Sequence, residues 1–299
     1  MKTLTIATRE SILALWQANF VKDKLQALYP DLTVKLLGVS TVGDRFKDKP
    51  LQSLGGKGVF LKELQQVLLA GEADIAVHSM KDVPNDVIPG LEISVICERD
   101  DARDALVSQQ YKTIEEMPAG SVVGTSSVRR TALLKAMRDD VEVKFLRGNL
   151  NTRLQKLDDG LYDAIIVSAA GLIRLGWQDR IQHSFSDDEM LPSVGQGVIG
   201  IECRSADENI KQLIGPLNHL VTQQCVLAER KFTEVLDGDC HSPIGVHAVI
   251  EAEKMLIKGC VANIDGSEVL SGELIGEIDI TLGSQLAEQL IAQGARDLL

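Results

Sequence analysis

The sequence predicts an α/β protein with two α/β lobes around a cleft, followed by a small α+β domain. Three observations carry that expectation. Short apolar strands alternate with helical-period segments over two stretches, each opening with a strand–helix–strand unit. A dense charge run, ERDDARD at residues 98–104, separates the two stretches and reads as a hinge. Beyond residue 217 the alternation gives way to one long amphipathic helix and strands at hairpin spacing.

Residues 2–8 read as a strand, and Arg9 and Ser11 fall at the turn into a helix. Ile12, Leu15, Trp16, Phe20, Leu25 and Leu28 recur at helical spacing until Pro30 ends the run, and LTVKLLGV is the next strand. A β-α-β unit of this kind implies a parallel pair. The polar stretch from Ser40 to Lys57 is longer than an ordinary connection. Phe60–Leu69 is a helix, ADIAVHS a strand, MKDVP a loop closed by Pro84, and LEISVIC a strand. VVGTSS, VRRTALLKAM, VEVKFLRG, NTRLQKL and YDAIIVSAAGLIRL then repeat the alternation, and VIGIECR reads as the chain crossing back to the first lobe. A helix over 217–236, three strands between 244 and 278 and a last helix over 283–297 complete the chain. The expected domains are therefore 1–98 with 197–216, 103–192, and 219–299.

The chain has 299 residues and a formal net charge of −12, with 44% hydrophobic and 25% charged residues. That length exceeds one ordinary core. The acidic balance argues against general affinity for nucleic acid or anionic membrane, so any anion site must be local. Five widely spaced cysteines with no CxxC pair do not form a disulfide framework and fit a reducing compartment. The opening MKTLTIATRES holds no apolar core of a secretory signal, so the expected location is the cytoplasm.

Against the acidic whole, Thr125–Arg153 sums to +4: five Arg and two Lys face Asp139, Asp140 and Glu142. Arg129, Arg130, Arg147 and Arg153 lie beside Gly, Ser, Thr or Asn, where helix starts and loops are expected. The guanidinium is a planar, permanently charged fork suited to carboxylate or phosphate. This stretch therefore reads as a pocket for a polyanion, with either chemistry open. GGKG at 55–58 precedes a helix and could hold an anion through Lys57, although its spacing is not that of a P-loop; a surface turn is an equal reading. HSMKDVP puts Lys81 and Asp82 at a strand end, where ligands bind in open α/β sheets; on its own such a pair is a solvated loop. GQGVIG at 195–200 matches a dinucleotide fingerprint in letters only, since no strand leads into it. Cys240 lies in the polar loop DGDCHSP, unlike the other four cysteines, and suits an accessible thiol that anchors or attacks. Residue type alone favours an inert cysteine. Cys240, His241 and His247 match no standard zinc spacing, and no metal is expected.

Taken in order, IATRESILALWQ, GGKGVFLKELQ, ADIAVHSMKDVP, GTSSVRR, LRGNLNTR, AAGLIRL, LPSVGQG and the cysteine loop resemble the porphobilinogen deaminase family over residues 4–245. Two departures stand out: DGDC where the family more often has GGC, and Val198 and Ile199 in GQGVIGIE. Neither removes a chemical group. The resemblance implies two periplasmic-binding-protein-like lobes plus an α+β domain. It also implies a transferase that condenses four porphobilinogen units head to tail, with loss of ammonia, to hydroxymethylbilane. A dipyrromethane cofactor would be held by a thioether to Cys240. By family position Lys81, Thr125, Ser126, Ser127, Arg129, Arg130 and Arg147 would contact that cofactor. Arg9, Ser11, Gln17, Lys57, Phe60, Arg153, Arg174 and Gln196 would contact substrate. Asp82 would be the catalytic group, stabilising the azafulvene cation left by loss of ammonia and moving protons. The implied partner is small-molecule porphobilinogen, with no nucleic acid or membrane, and the implied state a monomer.

A binding module of two α/β lobes without chemistry is the rival reading, which leaves the third domain and Cys240 unexplained. Intact mass separates the two. Expression in a host that makes porphobilinogen should yield a chain heavier by two linked pyrrole units, whereas an unmodified chain would favour the binding module.

Overall fold

The computed structural model describes residues 3–41, 61–86, 88–239 and 241–299. The chain divides into two compact units, Met1–Arg99 with Val198–Gln223, and Asp100–Gly197 with Gln224–Leu299.

In the first unit β1 (Thr3–Arg9) leads into α1 (Ile12–Leu28) and β2 (Thr33–Val39). Ser11 is the N-cap of α1, its hydroxyl accepting from Ala14 N at 3.3 Å. Ala18, Val21 and Leu25 bury one face of that helix against Leu4, Ile6 and Val34 of the sheet. After α2 (Lys62–Leu69) come β3 (Ile75–Ser79), a 3-10 turn (Met80–Asp82) and β4 (Leu91–Ile96). β1 pairs parallel with β2 and β3, so the expected β-α-β unit is present.

The second unit opens with β5 (Asp104–Ser108) and β6 (Val122–Thr125), followed by α3 (Val128–Met137) and β7 (Glu142–Phe145). Next come α4 (Leu150–Asp158), β8 (Ala164–Ser168), α5 (Ala169–Arg174) and the two-residue β9 (His183–Ser184). The chain then returns to the first unit as β10 (Ile199–Arg204) and α6 (Glu208–Ile214). α7 (Leu220–Val235) spans both units in sequence and is followed by β11 (Ile244–Glu251), β12 (Lys254–Ala262), β13 (Val269–Gly276) and α8 (Thr281–Ala292).

The two five-stranded sheets share one plan, β2-β1-β3-β10-β4 and β7-β6-β8-β5-β9. In each, the fourth strand runs antiparallel to the third: β10 against β3, and β5 against β8. Both of these strands are the first that the chain forms after passing from one unit to the other. The third sheet is an antiparallel meander, β11-β12-β13, with α8 packed through Leu286 and Leu290 into a core shared with Phe232 of α7.

The last helix is shorter than its periodicity suggests. It ends at Ala292, Gly294 adopts φ 103°, and Ala295–Leu298 form a 3-10 turn, because a left-handed glycine breaks the ladder that the apolar spacing continues across. The 217–236 helix likewise starts at Leu220, after a 3-10 turn, Gly215–Leu217, that contains Pro216. Residues 80–82, read as loop, form the 3-10 turn. The short α6 and β9 carry too little periodicity to be seen in sequence. Lys57, Phe60 and Cys240, with most of the 40–57 stretch, lie outside the described residues.

Glu229 of α7 fixes the meander to the 192–197 segment. It has no exposed surface, and its carboxylate accepts from Gly195 N at 2.8 Å and Ala248 N at 2.9 Å. Glu229→Ala strands both donors, at about 1–3 kcal/mol each. A lower urea midpoint with unchanged slope is the expected result, and a wild-type midpoint would show that the staple contributes nothing.

Candidate active site

Ligand-competent residues gather at the carboxyl ends of the parallel strands, and each unit has its own set. In the first unit β1 ends at Arg9 and β3 at Ser79, and both strands pass directly into helical turns. Gln17, buried on α1, donates to Ser79 Oγ at 2.8 Å and ties the two junctions together. The turn that follows is held by Met80 N donating to Val198 O at 3.0 Å and Val83 N to Met80 O at 3.1 Å, with the Met80 side chain buried. Lys81 is half-buried and Asp82 exposed. Asp82 therefore projects a solvated carboxylate from a fixed backbone, and no described residue donates a hydrogen bond to it.

Behind this turn lies a buried polar network. Glu202 of β10 accepts from Gln65 of α2 at 2.9 Å and pairs with His78 Nε2 at 3.0 Å. His78 is thus structural, as its residue type suggests.

The second unit concentrates the cations. Parallel pairing of β6 with β7 and β8 sets Thr125 beside Phe145 and brings the ends of all three strands to one edge. Antiparallel β5 starts at the same edge, Asp104 standing opposite Ser168. Ser127 caps α3, accepting from Arg130 N at 3.4 Å, and Ser168 caps α5, accepting from Gly171 N at 3.4 Å. Ser126 and Ser127 are half-buried, and Thr125 is buried with its hydroxyl accepting from Ser127 N at 3.2 Å.

Arg129 and Arg130 converge on Asp104, which has no exposed surface. Arg130 donates to Asp104 Oδ1 from Nε (3.1 Å) and Nη2 (2.7 Å), and from Nη1 to Ile166 O at 3.1 Å. Arg129 Nη1 lies 2.7 Å from Asp104 Oδ2 and donates to Leu191 O at 2.6 Å. Gln196 Nε2 donates to Asp104 Oδ1 at 2.8 Å and to Ala102 O at 2.6 Å. Two guanidiniums against one carboxylate leave one positive charge over. Arg129 Nε is buried without a hydrogen bond.

Arg147, just past β7, is also buried, and its guanidinium has no hydrogen bond or ion pair among the described residues. Burial pushes its pKa down from the ordinary guanidinium value. Arg153 Nε donates to Gly148 O at 2.8 Å. Arg174 lies apart from these: Nε donates to Asp100 at 2.7 Å and Nη2 to Gly197 O at 2.8 Å, binding together the first and last residues of the second unit's first segment. The charge run at 98–104 hid Asp100 and Asp104 as site residues, since a solvated hinge and a buried counter-ion look alike in sequence.

This edge combines a surplus buried cation, an unsatisfied guanidinium nitrogen and two serine-capped helix starts. Residues 4–212 match the family model "Porphobilinogen deaminase, dipyromethane cofactor binding domain", and residues 223–292 match "Porphobilinogen deaminase, C-terminal domain". The chain belongs to the porphobilinogen deaminase family. It is a transferase, a hydroxymethylbilane synthase, that condenses porphobilinogen units with release of ammonia on a dipyrromethane primer. Among solved structures it is similar to a putative methionine-binding lipoprotein from Bacillus subtilis (11% identity, 73% of this chain and 90% of that one, TM-score 0.46). It is also similar to immunogenic lipoprotein A from Vibrio vulnificus (13% identity, 74% and 96%, TM-score 0.45).

Burial raises the pKa of Asp104, but the neighbouring Arg129 and Arg130 and their hydrogen bonds outweigh it and hold the carboxyl well below the usual carboxylate range. A depressed folded-state value gives stability that is full above the unfolded carboxylate pKa, about 4, and lost as pH falls toward the folded value. The gap in unfolding free energy between wild type and Asp104→Asn should therefore narrow below about pH 4, and a gap independent of pH would overturn the assignment of Asp104 as an ionised counter-charge.

Proposed function

We propose that the work of the deaminase is divided between carboxylate-holding cations and one exposed carboxylate, with Cys240 as the covalent anchor. The observation that carries this reading is the surplus of buried positive charge at the strand edge of the second unit. A guanidinium held in a buried position without a counter-ion is costly. It becomes favourable when a carboxylate-bearing ligand completes its hydrogen bonds. Each pyrrole of the growing chain carries an acetate and a propionate, so the substrate class supplies such groups in a row.

Dipyrromethane fits these residues: its carboxylates match the guanidiniums of Arg129, Arg130 and Arg147, and the hydroxyls of Thr125, Ser126 and Ser127 add neutral donors. When bound, it supplies the primer to which the pyrrole units are added. A thioether to Cys240 would hold it through every cycle. Arg9, Ser11 and Gln17 of the first unit, with Lys57 and Phe60, contact incoming substrate, while Lys81 contacts the cofactor. Arg153, Arg174 and Gln196 serve the same purpose in the second.

Asp82 faces positive charge that develops when ammonia leaves. Its carboxylate is exposed and takes no hydrogen bond from a described residue, which supports both electrostatic stabilisation and proton movement at its oxygens. The fixed turn from Met80 to Val83 gives the group a defined origin, so little reorganisation is needed as charge appears. The acidic net charge of −12 supports a protein that acts free of nucleic acid and anionic membrane. No helix among the described residues is long and apolar enough to cross a bilayer. A cytoplasmic monomer is the corresponding proposal.

Asp82→Asn should fold normally and lose about 10²-fold or more in kcat, the usual scale for a general acid–base group; near-normal turnover would remove Asp82 from this role. Cys240→Ser should lose the covalent pyrrole mass, and its retention would refute the anchor. Arg129→Gln should lower the fraction of chains carrying that mass and raise KM for porphobilinogen, with wild-type values for both counting against the carboxylate cradle.

A further inference from the structure

We infer that Glu202 is a positioning residue for the deaminase reaction: from β10 it fixes, through His78, the end of β3 from which the Asp82 carboxylate projects, and through Gln65 the helix α2. This rests on the reading of Asp82 as the catalytic carboxylate and deepens it.

Glu202, His78 and Gln65 are each more than nine-tenths buried. Antiparallel pairing sets His78 opposite Gly200 and Ala76 opposite Glu202, so His78 and Glu202 lie diagonally on one face of the sheet. Each carboxylate oxygen has its own partner. Oε1 accepts from Gln65 Nε2 at 2.9 Å, and Oε2 lies 3.0 Å from His78 Nε2. Among the described residues the pair with His78 is the only ion pair that Glu202 makes. The same face carries Met80: Gly200 leaves the space that its thioether fills, and any Cβ there would overlap the sulfur. Met80 N in turn donates to Val198 O at 3.0 Å. The residues on either side of Ser79 are thus both held to the 198–204 segment, and Asp82 follows two residues beyond Met80.

Stability alone gives no reason for a carboxylate here. Burying one costs free energy, and apolar residues of similar size often serve stability as well or better. What the polar network adds is direction: two oxygens with separate partners accept one arrangement of α2 and β3, where methyl groups would accept several. Asp82 is exposed and takes no hydrogen bond from a described residue. Its position therefore comes from the backbone that carries it, and that backbone is held where Glu202 acts.

Two substitutions separate positioning from support of the fold. Glu202→Gln keeps an acceptor for Gln65 and supplies a donor to His78, whereas Glu202→Met, similar in size, keeps neither. Both are measured alone and in the Asp82→Asn background. Kinetics are normalised to the fraction of chains carrying the covalent pyrrole mass and recorded below each protein's thermal transition. Positioning predicts kcat about tenfold lower in Glu202→Met, as for a misplaced catalytic group, with KM unchanged. It also predicts wild-type kcat in Glu202→Gln, and no further loss when Glu202→Met is added to Asp82→Asn. A carboxylate that serves the fold alone predicts a lowered transition temperature with wild-type kcat, or a loss that multiplies with that of Asp82→Asn. Either result overturns the inference, as does kcat in Glu202→Gln as low as in Glu202→Met. If Glu202→Met does not fold, His78→Asn, which breaks the contact to β3 and leaves Gln65 in place, goes through the same cycle. Wild-type kcat there, or failure of that variant to fold as well, overturns the inference too. Near-normal turnover in Asp82→Asn removes Asp82 from its role and the inference with it; an impaired Asp82→Asn with multiplying losses removes Glu202 alone.

Discussion

A carboxylate with no exposed surface between two buried guanidiniums is tolerable only because their opposite charges offset each other, even though Asp104 Oδ2 and Arg129 Nε make no hydrogen bond. Desolvating Asp104 alone would cost several kcal/mol, and desolvating Arg129 and Arg130 without it would cost more. Together, and with Gln196, they form a network in which Asp104 is the common partner. The rest of the second unit is arranged around that requirement. β5 must start where β8 ends, so that Asp104 lies opposite Ser168, and α3 must start where β6 ends, so that both arginines point inward. Leu191 and Ile166 contribute backbone oxygens that finish the donors' geometry.

The same plan explains why both sheets carry their candidate site residues on one edge. Parallel strands joined by helices deliver their carboxyl ends together, and each junction starts a helical turn with free N–H groups. Serine recurs at these junctions, at Ser11, Ser79, Ser127 and Ser168. In three of them the hydroxyl accepts from the amide three residues on; at Ser79 it accepts instead from Gln17. One antiparallel strand in each sheet is the first formed after the chain changes unit, which places the boundary segments at that edge as well. Arg174 exploits this: it holds Asp100 and Gly197, one on each connecting segment.

Much of this was legible from the residues. Strand–helix alternation gave the two α/β units, since apolar runs of period 2 and period 3.6 differ plainly in ADIAVHS and VRRTALLKAM. The cationic stretch stood out because its charge opposes that of the whole chain. What stayed hidden was partnership. ERDDARD reads as a solvated charge run, yet Asp104 is fully buried while Arg103 and Asp101 pair at the surface. Nothing in the local pattern distinguishes them, because burial of Asp104 depends on arginines some 25 residues further on. Arg129 and Arg130 are likewise equivalent in sequence, and only the direction of their donors separates them. The end of the last helix was misjudged because the apolar spacing continues past a glycine whose left-handed conformation is a property of the fold.

The thiols follow from the same physics of burial. Cys97, Cys203, Cys225 and Cys260 are all buried. Burial pushes the Cys260 thiol up to about 11 and raises that of Cys203 as well, so neither forms appreciable thiolate at neutral pH. A thioether anchor needs a thiolate that a ligand can reach, and a thiol packed in a hydrophobic core offers neither charge nor access. Cys260 sits beside the Arg129 guanidinium electrostatically, and even that neighbour does not offset its desolvation. Proximity to the cationic edge therefore does not make a cysteine reactive.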